Sequence, residues 1–316
     1  MKQGPSRRRS GGTYRGVRPP PQPSPRGGGL PDLLVAGSIA LDALEGPYGR
    51  LDDELGGSAL YFALAAALIT PVQVVAPVGA DARERVENLL SGRRVDSGGL
   101  RVLDAPTYRW SAREMGGRNR DLGSRDSIYD AWAPEAPAGF GGWAFAGSMR
   151  PDRQLQAVDG LRGAQLLAAD AMLSYVAAQP APLAGILEAV GWFFCNHLEF
   201  RALGGEDPEG FRRQWRLEGL VLKDGPLGVT AYSAAGAEHV DAVAGRRVLD
   251  TTGAGDTLAG GLLARWLVTG GRPEGLRDAL RWGVACASLA IEDVGLRAIA
   301  RATPEALAER VLEVPA

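Results

Sequence analysis

Lysine occurs at only two of the 316 positions, Lys2 and Lys223, and histidine at only two, His197 and His239. Neither lysine follows a glycine, so the chain cannot hold a GxxxxGK[ST] phosphate loop. Two histidines at this spacing cannot form an HExxH zinc site, and without a GxSxG they give a Ser-His-Asp hydrolase little to work with. Cysteine is as scarce: Cys195 and Cys286 stand far apart in apolar runs, in no CxxC or metal spacing, which fits a reducing, cytoplasmic setting.

Long apolar runs are also missing. No stretch of about eighteen apolar residues exists, so no membrane span is expected. The first thirty residues are rich in Pro, Gly, Ser and Arg and carry Lys2, Arg7, Arg8, Arg9, Arg15, Arg18 and Arg26 without one acid. No apolar core follows that basic run, so residues 1–30 read as a disordered basic tail and not as a secretory signal. Because the whole chain has a formal net charge of −2, the remainder is distinctly acidic, and nucleic acid is not an expected partner.

What is present begins at Asp32. "LLVAGSIALDAL" reads as one buried strand whose end presents Asp42, and "GGSALYFALAAALI" as a helix capped by Ser58 and apolar on nearly every side. "VQVVAPVGAD" reads as a further strand and "ARERVENLLSGR" as a surface helix. Strands and helices then alternate again from "WAFAGS" through "AQLLAADA", "VGWFFCNHLEF" and "GLVLKDGPLGVTAYS". This alternation predicts an α/β fold, a three-layer α-β-α domain over residues 31–316 with a mostly parallel central sheet and ligands beyond the carboxyl ends of its strands. The polar segment 103–133 interrupts the pattern and reads as a small β lid; its Arg109, Arg113, Arg118, Arg120 and Arg125 read as a solvated flap in preference to a site for a phosphorylated acceptor.

The most informative stretch is "VLDTTGAGDTLAGGLLARWL", Val248 to Leu267. Leu258, Leu262, Leu263, Trp266 and Leu267 lie on a helical stripe, which places Gly253, Ala254 and Gly255 at a helix start. Unpaired N–H groups and the helix dipole make such a start an anion site, and the carboxylate of Asp256 beside it makes sense as a base for a hydroxyl that attacks a bound phosphate. The simpler reading of an isolated Gly-Ala-Gly-Asp is a tight turn with Thr252 and Asp256 as caps.

"DTTGAGDTLAGG" resembles the C-terminal signature of the ribokinase, or PfkB, family of carbohydrate kinases, and the order of the other features is similar to that family from Asp32 to about Leu312. The resemblance implies Asp256 as base and Gly253, Ala254 and Gly255 as anion hole. It implies substrate binding by Asp42, Gly56 and Gly57, and a nucleotide site near Lys223, Gly225, Gly228, Thr252 and Gly295. "NHLE" matches a motif tied to magnesium, giving Asn196 and Glu199 with Mg2+ held through water, and a monovalent cation, K+, is left open near Asp250. The implied activity is transfer of the γ-phosphate of MgATP to a hydroxymethyl group of a sugar or nucleoside, with a homodimer left open; the alternative is a non-catalytic binding or regulatory protein on the same fold. Two departures stand out. Only thirteen residues separate Asp42 from Gly56, which predicts that the lid rests mainly on 103–133, and Ser58 stands where many sugar kinases continue as G-G-K-G-A-N. Asp170 receives no role.

Overall fold

Successive residues of strand β1, Leu33–Ala36, feed two separate cores: Leu33 and Val35 pack on one side, Leu34 and Ala36 on the other. That period-two split makes a strand apolar at every position when helices cover both faces of its sheet. β8 (Trp143–Ala146) behaves the same way, with Trp143 and Phe145 on the first side and Ala144 and Ala146 on the second. This is a computed structural model, and it describes residues 32–117 and 119–315. The basic tail of residues 1–30 and Arg118 lie outside the described residues.

The main sheet has nine strands. β9 (Leu166–Asp170), β10 (Trp192–Asn196) and β11 (Gly219–Lys223) extend it from β8 in parallel, and β12 (Val229–Ser233) and β13 (Gly236–Val240) close that edge as antiparallel strands. On the other side, β4 (Val72–Gly79) and β5 (Val95–Leu103) add to β1, again in parallel. One face is covered by the helices Ser58–Ala67, Ala254–Val268 and Leu276–Ala290, the other by Pro151–Gly160, Pro180–Ala189 and Pro208–Gln214. The expected three-layer architecture is borne out. All ten residues of the helix Ser58–Ala67 are buried, as its unbroken apolar sequence requires. Trp266 fixes the helix Ala254–Val268 across the sheet through edge-on contacts, 5.3 Å to the Trp143 ring and 4.9 Å to the Trp192 ring.

Two expectations need correction. "LLVAGSIALDAL" is not one strand: β1 stops at Ala36, and β2 (Ala40–Gly46) belongs to a second, four-stranded sheet with β3 (Gly49–Gly56), β6 (Tyr108–Glu114) and β7 (Asn119–Arg125) in the order β3-β2-β6-β7. The break has a packing cause. A Cβ at Gly37 would lie 2.6 Å from Ser58 Oγ and 2.9 Å from the Ala59 nitrogen, so the helix start presses on the chain there and diverts it out of the main sheet. The small sheet therefore draws two strands from the hairpin 40–56 as well as two from 103–133.

Ser58 is also not a cap. The N-cap is Gly57, at φ 97°, and a Cβ on it would meet the Ser38 carbonyl oxygen at 2.4 Å. Ser58 instead donates its hydroxyl to the Ser148 carbonyl at 2.9 Å and accepts from the Ser38 N–H at 3.0 Å, tying three segments beneath the cavity. Gly37→Ala should consequently lose about 1–3 kcal/mol of stability from overpacking. An unchanged denaturant midpoint for that variant would contradict the described packing.

Candidate active site

Asp170, Asn196 and Lys223 end three adjacent parallel strands, so the sheet itself gathers them at one edge. They line a cavity of about 330 Å³ together with Asp42, Gly57, Glu199, Gly225, Thr252, Gly253, Gly255 and Asp256. Ten of the residues expected from sequence thus meet in one place. Gly56, Gly228, Ala254, Asp250 and Gly295 do not line it, although several of them shape its walls.

The helix Ala254–Val268 opens at Gly253, whose φ of 70° is the left-handed conformation that favours glycine. A side chain there would meet the Tyr61 ring at 2.2 Å, so the loop can close only without a Cβ. The Ala254 N–H turns back to the Thr251 carbonyl at 3.3 Å, which removes it from the anion-binding set expected from sequence. Among the described residues the N–H groups of Gly253 and Gly255 have no protein acceptor. Thr252 does not cap the helix; its hydroxyl is turned to Asp250.

Asp250 holds this loop in place. Its Oδ1 accepts from the Thr252 N–H at 2.9 Å and the Thr252 hydroxyl at 2.7 Å, and its Oδ2 accepts from the Gly295 N–H at 2.8 Å. Gly295 sits at φ 58° in the turn after the helix Leu276–Ala290. From β7 of the small sheet, the Asn119 amide donates to Thr252 Oγ1 at 2.7 Å and reaches Asp250 Oδ1 at 3.5 Å. Both Asp250 oxygens are thus engaged by protein donors.

Asp256 stands in the first turn of the helix, and burial pushes its carboxyl up to about 6, against the pull of the Lys223 ammonium. Asp170, in carboxyl contact with it, is raised well above the ordinary aspartate value, first by burial and then by Asp256. Glu199 is raised by burial too, opposed by Lys223 and by the N–H of Asn196, which donates to it at 2.8 Å. Burial works against the charge on Lys223, but Glu199, Asp170 and Asp256 hold its pKa above the usual value. Asn196 and Glu199 form a reciprocal capping box, Asn196 Oδ1 accepting from the N–H groups of Leu198 and Glu199 at 2.9 Å each. Their structural and site positions coincide.

Asp42 lies on β2 of the small sheet and not at the end of a main-sheet strand. A Cβ on Gly56, in the neighbouring β3, would fall 1.9 Å from Asp42 Oδ2, which is why that position is a glycine. Burial, with Asp250 and Glu54 nearby, raises the Asp42 carboxyl well above its usual range. Oxygens of Asp42, Asp170 and Asp256 and the Tyr61 hydroxyl are buried without a protein partner among the described residues. Such groups cost about 1–3 kcal/mol each when left unpaired, so the cavity has polar capacity that the chain does not fill. Asp170 and Tyr61 were missed from sequence. Asp170 lacks a local motif, and Tyr61 hides in a helix that is otherwise core; a tyrosine one turn after a Gly pair was the only signal. The described arginines of 103–133 do not line the cavity: Arg109 pairs with Asp53 and, at 3.3 Å, with Asp81, Arg113 pairs with Glu45 at 2.9 Å, and Arg120 and Arg125 are exposed.

The architecture and the cavity define a ribokinase-like α/β protein. Residues 152–303, just under half of the chain, match the family described as pfkB family carbohydrate kinase, and the resemblance noted in the sequence is borne out. No curated protein matches the sequence. Among solved structures, the chain is similar to a nucleoside kinase of Methanocaldococcus jannaschii, a member of the ribokinase family, at 20% identity, 90% of this chain, 99% of that chain and TM-score 0.71. It is similar to the Burkholderia thailandensis nucleoside kinase in complex with inosine at 21%, 88%, 97% and 0.72, and to the fructokinase of Vibrio cholerae O395 with fructose, ADP and calcium ion at 21%, 88%, 98% and 0.70. The expectation of a PfkB-type kinase holds at the level of domain and fold.

Carboxyls whose pKa is raised by folding bind their protons more tightly in the folded chain. They favour folding most below the unfolded value of about 3.9 and lose that contribution as pH rises through the folded pKa. In metal-free buffer Asp170→Asn should therefore melt roughly 2–4 °C above the parent at pH 8, with the gap closing toward pH 4. A pH-independent gap in thermal melts would contradict the described charge cluster.

Proposed function

We propose that the protein is an ATP-dependent phosphotransferase that moves the γ-phosphate of MgATP onto a hydroxymethyl group of a sugar or nucleoside, acting in the cytoplasm. The observation that carries this reading is Asp256: a buried carboxyl with its pKa lifted to about 6, in the first turn of a helix whose opening N–H groups at Gly253 and Gly255 are free of protein acceptors. A carboxylate near neutral pKa suits proton abstraction at physiological pH, and free N–H groups at a helix start suit a transferring phosphate. The Burkholderia kinase carries inosine and the Vibrio fructokinase carries fructose and ADP, which supports a nucleotide donor.

The roles follow from position. Asp42 accepts hydrogen bonds from acceptor hydroxyls and places the hydroxymethyl oxygen at Asp256. Asp256 takes the hydroxyl proton as that oxygen bonds to phosphorus, and ADP leaves with the electron pair of the broken P–O bond. The N–H groups of Gly253 and Gly255, the helix dipole and the Lys223 ammonium bear the charge that builds on the phosphoryl oxygens, the main task in a loose transfer. Thr252, Gly225, Gly228 and Gly295 belong to turns on the nucleotide side of this arrangement.

Magnesium fits the donor set. Three carboxyls against one ammonium leave excess negative charge and hard oxygen donors, and among the described residues no three acidic or histidine groups are placed to chelate a metal directly. That matches an ion held by Asn196 and Glu199 through its own waters. When bound, Mg2+ supplies neutralisation of the β- and γ-phosphate charge. No helix of the described residues is long and apolar enough to cross a membrane.

Asp256→Asn should lower acceptor-dependent ADP formation by about 10²–10⁴ while ATP binding persists. Full turnover in that variant would remove the assignment, and ADP release without any acceptor dependence would favour the non-catalytic alternative. For the parent, kcat/KM should fall below about pH 6, because the base must be unprotonated before it can accept. A pH profile flat to pH 4.5 would assign the base elsewhere.

A further inference from the structure

We infer that the acceptor end of the cavity takes a neutral nucleoside, a ligand with a vicinal diol at one end and a flat heterocycle at the other. This rests on the phosphotransferase reading above and narrows its acceptor.

Three observations converge on it. β2 and β6 run parallel with Ala40 opposite Tyr108 and Asp42 opposite Trp110, and since alternate residues share a face, these four side chains form one wall. All four line the cavity, so a carboxyl that reads hydroxyls lies directly beside two aromatic rings. Ala171 and Met172 line the same cavity from the end of β9. A free sugar would set its hydroxyls against rings, methyls and a thioether, whereas the flat face of a base would stack there.

The unpaired polar atoms supply the second observation. Asp42 Oδ1 and the Tyr61 hydroxyl are buried with no protein partner among the described residues, an acceptor and a donor that together match two adjacent hydroxyls. The Trp110 indole N–H also lacks an acceptor, and heterocyclic bases carry acceptor atoms on their rims. Charge is the third. Lys223, the only cationic side chain lining the cavity among the described residues, is bound up with Glu199, Asp170 and Asp256. Arg109 is paired with Asp53 of the small sheet and Asp81 after β4, and Arg113 with Glu45 of the small sheet. Among the described residues, an acceptor bearing phosphate would face the Asp42 carboxyl with no free cation to offset it.

The test measures thermal shift and acceptor-dependent ADP formation for inosine, D-ribose and D-fructose 6-phosphate. Inosine should raise the melting temperature and give kcat/KM at least about tenfold above D-ribose, and fructose 6-phosphate should do neither. Preference for D-ribose or for the sugar phosphate overturns the inference and leaves the kinase reading standing. A melting shift with inosine but no ADP release from any acceptor supports the nucleoside site and removes the kinase reading. No response to inosine in either measurement overturns the inference. Two variants sharpen the outcome. Tyr61→Phe keeps the ring that packs on Gly253, so the protein without inosine should melt no lower than the parent while KM for inosine rises about tenfold. A lower melting point would mean that the hydroxyl serves the fold and would overturn its assignment to the diol. Trp110→Ala should cut the inosine-to-ribose preference about ten- to a hundredfold, and an unchanged preference would remove the base from that wall.

Discussion

The chain reaches the helix Ala254–Val268 through a loop that Asp250 holds in shape. Its carboxylate gathers N–H and hydroxyl groups from the loop itself, from the turn at Gly295 and, through Asn119, from the tip of the small sheet. Gly253 then takes the left-handed conformation against the Tyr61 ring, and the helix begins with the N–H groups of Gly253 and Gly255 free of protein acceptors among the described residues. Remove that anchor and the remaining site residues lose the surface they face. A carboxylate fully engaged by protein donors is a stable choice for this task, since those bonds offset the cost of its burial.

Around that loop, four ionisable groups share one enclosed volume. Burial raises the carboxyl pKa values of Glu199, Asp170 and Asp256, and the Lys223 ammonium opposes that rise without cancelling it. The imbalance is a reservoir: a divalent ion or a transferring proton finds groups already poised to respond. Asp42 stands apart on the small sheet and is desolvated by Tyr61, Trp110 and the facing Gly56, so the two ends of the cavity have different electrostatic character. Structural strain and chemical readiness come from the same burial.

Much of this was legible in the sequence, for physical reasons that can be named. The helix start at Gly253 and the placement of Asp256 follow from local rules, in which glycine spacing and an apolar stripe leave few alternatives. Lys223, Asn196 and Glu199 came from the resemblance of their motifs to those of the family, and the convergence of strand ends in a parallel sheet explains why those motifs meet. The division of "LLVAGSIALDAL" was not legible, because its apolar pattern continues unbroken and the break is set by contact with Ser58, twenty residues away. The hairpin 40–56 was hidden by its Gly-Pro turn and by the exposed, polar run of β3, which read as a loop. Asp170 had no local signature at all; its meaning comes from Asp256, which folding brings to it from eighty-six positions further along the chain.

The near absence of lysine has a consequence for the life of the protein. Lys223 is the only primary amine side chain among the described residues, and its three carboxyl neighbours keep it protonated inside the cavity. Acyl donors and reducing sugars attack unprotonated amines, and the arginines that carry the rest of the positive charge stay protonated at any physiological pH. The described surface offers such reagents no side-chain amine to acylate or glycate. Within the described residues that route of ageing is closed, because the single side-chain amine there is held protonated by the carboxyls around it.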